Sequence, residues 1–219
     1  HIYNADFFDM QPGGESIPKV DAVVGNPPYV RRMLINRIEA IRRKAFQGIE
    51  EKMKRDADIY CYFLLHSSKS LKPHGRLAMI LSDSWLTTDY GIELKDFLLK
   101  HFKVKALVNF DERVFQRILV KSVLLLAEKN GHDDDGNHGV KFLRVKKKIP
   151  EDLLSRYIGS DIPEYTNEHV TMSLKPYSEL KGNTFWGIYT RAPPVYFELI
   201  KHHLITKLRK VAVSRIGLI

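Results

Sequence analysis

The sequence predicts an α/β fold built on a largely parallel sheet, and three observations support this. Short apolar runs alternate with segments whose apolar residues recur at helical spacing, the pattern of strands joined by crossover helices. The run from Leu77 to Leu81 is continuously apolar, which is typical of a strand buried on both faces. Hydrophobic residues make up 44% of the 219 residues, enough for a globular core.

The first half of the chain predicts its elements in a clear order. We expect residues 20–25 to form a buried strand and residues 31–55 to form a basic loop-and-helix insertion. A helix follows from Asp58 to Leu71, and Pro73-His74-Gly75 ends it. The remaining elements are strand Leu77–Leu81, a helix over 91–102, and strands Val104–Phe110 and Ser122–Ala127. Because the last two strands are so close in sequence, we expect them to form an antiparallel hairpin.

The second half has a different character. Val140 to Val145 predicts one more strand, at an edge of the sheet. The region 160–190 has no clear pattern, and residues 193–209 predict a helix that runs into a basic tail. We therefore divide the chain into residues 1–148, an α/β domain, and residues 149–219, a linker and the beginning of a second region.

Composition limits the environment and the partners. The single cysteine, Cys61, allows no internal disulfide, which suits a reducing cytoplasm. No apolar run is long enough to span a bilayer, and no signal-peptide pattern opens the sequence. The net charge is +9, and nine lysines and arginines lie within residues 31–55. Such a cluster favours contact with a polyanion such as DNA, although a solvated amphipathic helix gives the same pattern.

The segment Asn26-Pro27-Pro28-Tyr29 follows the first strand and suits the binding of a flat base. The two prolines carry no backbone N–H, so the neighbouring carbonyl oxygens are left as acceptors without competing donors. The Asn26 side chain adds another oxygen, and the Tyr29 ring offers a stacking face. An exocyclic amino group needs two such acceptors. The alternative is that Pro-Pro simply ends a strand.

Four segments together resemble the gamma-class N6-adenine DNA methyltransferases of restriction–modification systems, in the order of that family. The resemblance runs from about Asn4 to Glu128. Its segments are Asn4-Ala5-Asp6-Phe7-Phe8, then Asn26-Pro27-Pro28-Tyr29, then Asp58-Ile59-Tyr60 with residues 71–80, and finally Val114-Phe115 with residues 121–126.

The resemblance implies a fold and a set of site residues. The fold is the second half of a Rossmann-like S-adenosylmethionine methyltransferase sheet, with residues 149–219 entering a target-recognition region. The partner is double-stranded DNA with a flipped adenine. Asn26, Pro27 and Tyr29 are the catalytic residues. Tyr29 and Phe115 stack on the base, although Phe110 is close enough in sequence to be the stacking ring instead.

The resemblance also implies how the cofactor is held, and the position of the basic cluster beside the Asn26 segment predicts the contacts to the DNA backbone. Asp6 accepts from the adenine amino group of S-adenosylmethionine and Phe7 packs beside that ring; a turn-capping role is the alternative for Asp6. The DNA-backbone contacts are Arg31, Arg32, Arg42, Arg43 and Lys44. We expect no metal site, since residues 132–138 suit a solvated hairpin loop better than a ligand set.

One departure from the family concerns the cofactor. The family places a glycine-rich loop before all of these segments, and this sequence contains none. We therefore expect a fragment that neither binds the cofactor nor methylates by itself. Two other functions remain open: a methyltransferase acting on RNA or on protein glutamine, and a non-catalytic DNA-binding relic of the fold.

Overall fold

A computed structural model describes residues 2–14, 17–30, 37–50, 57–112, 121–131, 138–202, 206 and 210–212. These residues form one seven-stranded sheet with the strand order β1-β2-β4-β3-β5-β7-β6. The strands are β1 Val20–Gly25, β2 Leu71–Ser82, β3 Phe102–Phe110, β4 Ser122–Lys129, β5 Gly139–Val145, β6 Glu164–Thr166 and β7 Val170–Pro176.

The strand directions define a carboxyl edge of the sheet. β1 runs parallel to β2, and β3 runs parallel to β5. β4 is antiparallel to both β2 and β3, so the expected β3–β4 hairpin is confirmed. The carboxyl ends of β1, β2, β3 and β5 therefore lie at one edge, together with the beginning of β4. In open α/β sheets that edge is where ligands bind.

Helices cover both faces of the sheet. They are α1 Ile38–Phe46, α2 Ile59–Ser68, α3 Gly91–His101, α4 Glu151–Gly159, α5 Tyr177–Leu180, α6 Ile188–Arg191 and α7 Pro194–Lys201. Neighbouring residues of β3 point in opposite directions: Leu107 joins the core cluster packed with α2 and α3, and Val108 joins the smaller cluster packed with α4. The sheet is thus the middle layer of three.

The helix α2 ends earlier than the sequence suggests. Every residue of α2 except Phe63 is buried, so burial rather than an amphipathic stripe fixes this helix. It ends at Ser68, and Pro73-His74-Gly75 lies inside β2. The register with β1 slips there: Val20 pairs with Leu71 but Ala22 pairs with Arg76. The three residues form an irregularity in the strand, where His74 adopts a positive φ of 61°.

The strand β1 is not the buried strand that its apolar residues predict. It pairs with β2 on one side, and among the described residues no strand covers its other side. Val24 is 83% exposed, and Val23 is only half-buried. An apolar run indicates a buried strand only where other elements pack on both sides of it. Among the described residues, no strand covers the outer edge of β1.

The second half of the chain extends the same sheet. β5 lies between β3 and β7, so the prediction of an edge strand at Val140–Val145 is wrong. The region 160–190 is also more regular than predicted, because it contains β6, β7, α5 and most of α6. Pairing with β5 organises it, and a partner strand distant in sequence leaves no local signal. The division at residue 148 stays a prediction, although the sheet continues across it.

The segment around α6 is fixed to the carboxyl edge. Trp186 is fully buried, and its ring lies 6.0 Å from that of Trp85, edge to face. Arg191 forms an ion pair with Asp83, whose side chain is 9% exposed. Since Asp83 directly follows the last residue of β2, this pair ties α6 to the end of a central strand.

Lys95 carries a charge into the interior beside this segment. The residue is 2% exposed, and its Nζ donates to the backbone oxygen of Thr184 at 2.5 Å. Burial lowers the pKa of Lys95 from 10.5 to about 8. Between those two values the unfolded chain binds more protons than the folded one, so raising the pH through this window favours folding.

We therefore expect wild type to gain stability relative to Lys95→Met as pH rises from about 8 to about 10.5. The gain in free energy of unfolding is at most about 3 kcal/mol, since each unit of pKa shift corresponds to about 1.4 kcal/mol. Urea unfolding at several pH values measures it. The same substitution at the exposed Lys181 controls for the general loss of a cation. Parallel stability curves for wild type and Lys95→Met would contradict the prediction.

Within the described ranges, no helix is long and apolar enough to cross a membrane.

Candidate active site

The candidate site lies at the carboxyl edge, where three strands bring their ends together. Asn26 follows the last residue of β1. Ser82 ends β2, and it pairs directly with Ser122 at the beginning of β4. A loop leaving the end of β1 therefore emerges beside the hydroxyl groups of two neighbouring strands.

The segment Asn26-Pro27-Pro28-Tyr29 is open to solvent at one end and anchored at the other. Asn26 is exposed, Pro27 is buried and Tyr29 is half-buried. The Tyr29 hydroxyl lies 2.9 Å from Asn26 Oδ1 and 3.2 Å from the backbone oxygen of Ile80 in β2. Burial raises the pKa of Tyr29, and a hydrogen bond from Ser122 opposes that shift. The tyrosine therefore stays neutral and holds the loop against β2.

This arrangement leaves the Asn26 side chain accessible. Asn26 is exposed, although its Oδ1 lies within hydrogen-bonding distance of the Tyr29 hydroxyl, and both proline nitrogens lack a hydrogen. An incoming amine thus meets the side-chain amide on a rigid backbone. The loop can position an amino group by hydrogen bonds without supplying a strong base.

A buried group of hydroxyls supports the carboxyl edge, and sequence reasoning missed it. Tyr60 of α2 and Tyr90 lie with hydroxyls 2.7 Å apart, and both hydrogen-bond Ser84, at 3.0 and 2.8 Å. Tyr90 also donates to Asp58 at 3.0 Å, and Ser84 contacts Ser82 at 2.9 Å. Burial raises the pKa of Tyr90 to about 12 and that of Tyr60 further still, so both remain neutral.

This group of hydroxyls connects Asp58, the residue before α2, to Ser82 and Ser84, where the chain leaves β2. The sequence offered two signals for it, the segment Asp58-Ile59-Tyr60 of the family resemblance and the serines at 82 and 84 just after the predicted strand. It offered none for Tyr90, because its partners lie 30 residues or more away or in an irregular turn.

Asp6 and Phe7 precede β1 in the chain, and their contacts are with Arg37 at the beginning of α1 and with Phe63 of α2. Asp6 Oδ1 accepts from the backbone N–H of Phe8 at 2.9 Å and caps a single helical turn, Phe7–Asp9. Its other oxygen lies 3.7 Å from Arg37. The Phe7 ring stacks on Phe63, with centroids 4.7 Å apart and planes 4° apart. Of the contacts among described residues, none joins Asp6 or Phe7 directly to Asn26 or Tyr29.

The capping role predicted as the alternative for Asp6 is therefore present. It leaves other acceptor positions of the carboxylate unused. The side chain is 45% exposed, and a carboxylate has about four acceptor positions. One further hydrogen from an amino group can be accepted there, beside a half-buried aromatic ring. These two residues consequently fit the adenine end of S-adenosylmethionine, and their assignment stays a prediction.

The basic residues of α1 differ in whether they already pair with a carboxylate, and therefore in how readily they can bind a DNA phosphate. Lys44 forms an ion pair with Asp9, and Arg42 lies 3.9 Å from Glu39 with its guanidinium over the Phe46 ring. Arg43 is exposed, and no carboxylate among the described residues pairs with it. The other two cations predicted to contact DNA, Arg31 and Arg32, lie outside the described residues.

Of the two phenylalanines predicted to stack on the base, the structure describes only one. Phe115 lies outside the described residues. Phe110 ends β3, where it is half-buried and packs against the smaller core cluster. The predicted solvated loop over 132–138 is described only at His138, whose ring packs 3.9 Å from that of Tyr177.

Comparisons with known proteins agree with this architecture. The chain is 38% identical over 173 residues to the type II methyltransferase M.BstVI of Geobacillus stearothermophilus, and this match covers 77% of the chain and 30% of the relative. It is 26% identical over 180 residues to the type II methyltransferase M.AccI of Acinetobacter calcoaceticus, covering 78% of the chain and 30% of that protein. The chain thus spans about a third of the length of these curated relatives.

Solved structures share the fold at low sequence identity. The type IIG restriction endonuclease BpuSI matches with a TM-score of 0.70 and 17% identity, over 90% of this chain and 24% of that one. A type I restriction-modification methyltransferase subunit from Streptococcus thermophilus matches with a TM-score of 0.60 and 20% identity, over 86% of this chain and 41% of that one. The fold is accordingly the Rossmann-like one of S-adenosylmethionine-dependent methyltransferases, as predicted.

The Eco57I restriction-modification methylase profile matches residues 3–115, which include the Asp6 segment, the Asn26 loop, α2, β2 and β3. Since this match covers just over half of the 219 residues, the chain belongs to the Eco57I restriction-modification methylase family.

Proposed function

We propose that this chain contributes the base-binding part of an enzyme that methylates adenine N6 in DNA, using S-adenosylmethionine, within a restriction–modification system. One observation carries the proposal: the Asn26-Pro27-Pro28-Tyr29 loop stands at the carboxyl edge with its amide exposed and its aromatic ring anchored. Family membership supports the methyltransferase part of the proposal. The acceptor chemistry of the loop supports an exocyclic amine as the target.

The reaction requires positioning more than base catalysis. The adenine amino nitrogen is a poor nucleophile because its lone pair is delocalised into the ring. The Asn26 side-chain oxygen and the Pro27 carbonyl accept its two hydrogens, which favours a pyramidal nitrogen with an available lone pair. Preorganised acceptors of this kind stabilise the positive charge that develops on nitrogen during transfer. The proton leaves after that charge has formed.

The cofactor supplies a methyl group on a sulfonium when it is bound. Asp6 would hold its adenine amino group, and Phe7 would pack beside the ring. The target base has to leave the duplex, which costs a few kcal/mol. Stacking on the Tyr29 ring offsets part of that cost, by about 1–3 kcal/mol. Phe115 is proposed as the second stacking residue.

Methylation assays on the intact methyltransferase test this proposal. We expect transfer of labelled methyl groups to duplex DNA, with N6-methyladenine as the modified nucleoside after digestion. RNA and a glutamine-containing protein substrate should accept at least a hundredfold less label. Equal labelling of either one would favour the alternative substrates. Salt-dependent DNA binding without any transfer would favour a non-catalytic relic of the fold.

The DNA-backbone part of the proposal gives a separate prediction for α1. We expect Arg43→Ala to weaken duplex binding by roughly fivefold near 0.1 M salt and to lower the slope of log K against log salt by about 1. The reason is that an exposed guanidinium that pairs with no carboxylate of the described residues can neutralise one phosphate. Fluorescence anisotropy across a salt series measures both quantities.

Lys44→Ala is the matched control one residue away. Because Lys44 already pairs with Asp9, its removal should change the slope by less than half as much. An unchanged salt slope for Arg43→Ala would exclude this face of α1 from the DNA contact.

A further inference from the structure

The Tyr29 hydroxyl has more neighbouring acceptors than hydrogens. It lies 2.9 Å from Asn26 Oδ1 and 3.2 Å from the Ile80 backbone oxygen, both within hydrogen-bonding distance. A phenol carries one hydrogen, so it can donate to only one of these two oxygens. Whichever oxygen is left faces the hydroxyl oxygen without a hydrogen between them, which is unfavourable at these distances.

A half-turn of the Asn26 side-chain amide about its Cβ–Cγ bond removes this competition between two acceptors for one hydrogen. The oxygen and the NH2 group of an amide are nearly the same size, so the half-turn exchanges them in place. Nδ2 then lies at the 2.9 Å position and donates to the Tyr29 oxygen. The Tyr29 hydroxyl is free to donate its hydrogen to Ile80. Every group then has a suitable partner.

The half-turn also changes what the loop presents to a substrate. Before it, the outward-facing atom is Nδ2, a donor that hydrogen-bonds no described residue, and a donor repels the hydrogens of an incoming amine. After it, the outward-facing atom is Oδ1, on an exposed side chain. An acceptor is what an exocyclic amino group requires.

We propose that Tyr29 is a positioning residue whose hydroxyl, anchored to β2, selects the Asn26 amide orientation that presents Oδ1 to the target amine. This role rests on the proposed function and is separate from stacking, which belongs to the ring. Tyr29→Phe separates the two because it keeps the ring and removes the hydroxyl.

Hydrogen exchange of the Asn26 side-chain amide tests the orientation directly. In the intact methyltransferase labelled with 15N-asparagine, the Asn26 signal is assigned by its disappearance in Asn26→Asp. We expect one Nδ2 hydrogen to exchange at least fivefold more slowly in wild type than in Tyr29→Phe, because Tyr29 accepts it. Equal exchange rates in the two proteins would overturn the proposal. This measurement needs no methyl transfer, so its result stands apart from success or failure of the proposed function.

A double-mutant cycle tests the consequence for catalysis. With Asn26 present, we expect Tyr29→Phe to lower kcat by about three- to tenfold and to leave DNA affinity within twofold, since one hydrogen bond is lost and stacking is kept. With Asp at position 26, both ends of the side chain are acceptors and no orientation has to be selected. There Tyr29→Phe should change kcat by less than twofold.

A hydroxyl that merely supported the loop would lower kcat equally in both backgrounds, and that result would contradict the proposal. An Asn26→Asp enzyme too slow to assay would contradict it as well, because the symmetrical carboxylate is expected to retain measurable transfer. Failure of wild type to methylate adenine would instead count against the proposed function alone.

Discussion

Replacement of Asn26 by alanine is expected to lower kcat for adenine methylation by about 10²–10³-fold, equivalent to about 3–4 kcal/mol of transition-state stabilisation. The side chain supplies one of the two acceptors for the target amine, and its contribution grows as positive charge develops on nitrogen. Asn26 is exposed and its loop is anchored through Pro27 and Tyr29, so the fold should survive the change. Single-turnover rates with saturating cofactor and duplex DNA measure the effect.

Asn130 gives the matched control at the opposite end of the sheet. Its amide donates to the backbone oxygen of Lys100 at 3.0 Å, so Asn130→Ala also removes an amide and a hydrogen bond. We expect its kcat to stay within twofold of wild type. DNA affinity should change less than threefold in Asn26→Ala, because the lost interaction is strongest in the transition state. Undiminished transfer by Asn26→Ala would remove the basis for the proposed function.

Trp186→Ala is expected to lower the free energy of unfolding by about 3–5 kcal/mol. The indole is fully buried between Trp85 and Phe142, with ring centroids 6.0 and 6.2 Å away, and its Nε1 donates to the Leu180 backbone oxygen at 3.3 Å. Removing it leaves a large cavity where α6 packs on the sheet. Because Trp85 lies just beyond the end of β2, the loss should spread to the carboxyl edge.

Denaturant unfolding followed at two sites measures this prediction and also tests the division at residue 148. If residues 149–191 are structurally part of the α/β domain, Trp186→Ala should shift a single cooperative transition. The neighbouring Phe185 is 53% exposed, and Phe185→Ala should change stability by less than about 0.5 kcal/mol. A separate, early transition of the C-terminal part, with the remainder unchanged, would support two independent regions instead.

The sequence predicted those parts of the fold whose information is local. The apolar strand at Leu77–Leu81, the helix over 91–102 and the antiparallel β3–β4 hairpin each follow from periodicity or short connections. β7 and the interior position of β5 could not be predicted in this way. They depend on pairing between residues such as Val140 and Lys175, which are far apart in sequence.

The candidate site shows the same division. The composition of Asn26-Pro27-Pro28-Tyr29 indicates acceptors and a ring, and the structure places them at the carboxyl edge. The contact between the Tyr29 hydroxyl and Ile80 spans 51 residues and required coordinates. The pairing of Lys44 with Asp9 is likewise non-local, and it reduces the availability of one predicted binding residue. The capping bond of Asp6, by contrast, is local and was predicted as the alternative role for that residue.

The side of β1 that no described strand covers has a practical consequence for work with this polypeptide. A strand whose backbone N–H and C=O groups lack partners is a template for addition of another strand, and the exposed Val24 increases the tendency to associate. Preparations of residues 1–219 alone should therefore be handled at low concentration and monitored by light scattering. A lysine at position 24 would act as a gatekeeper against such self-association.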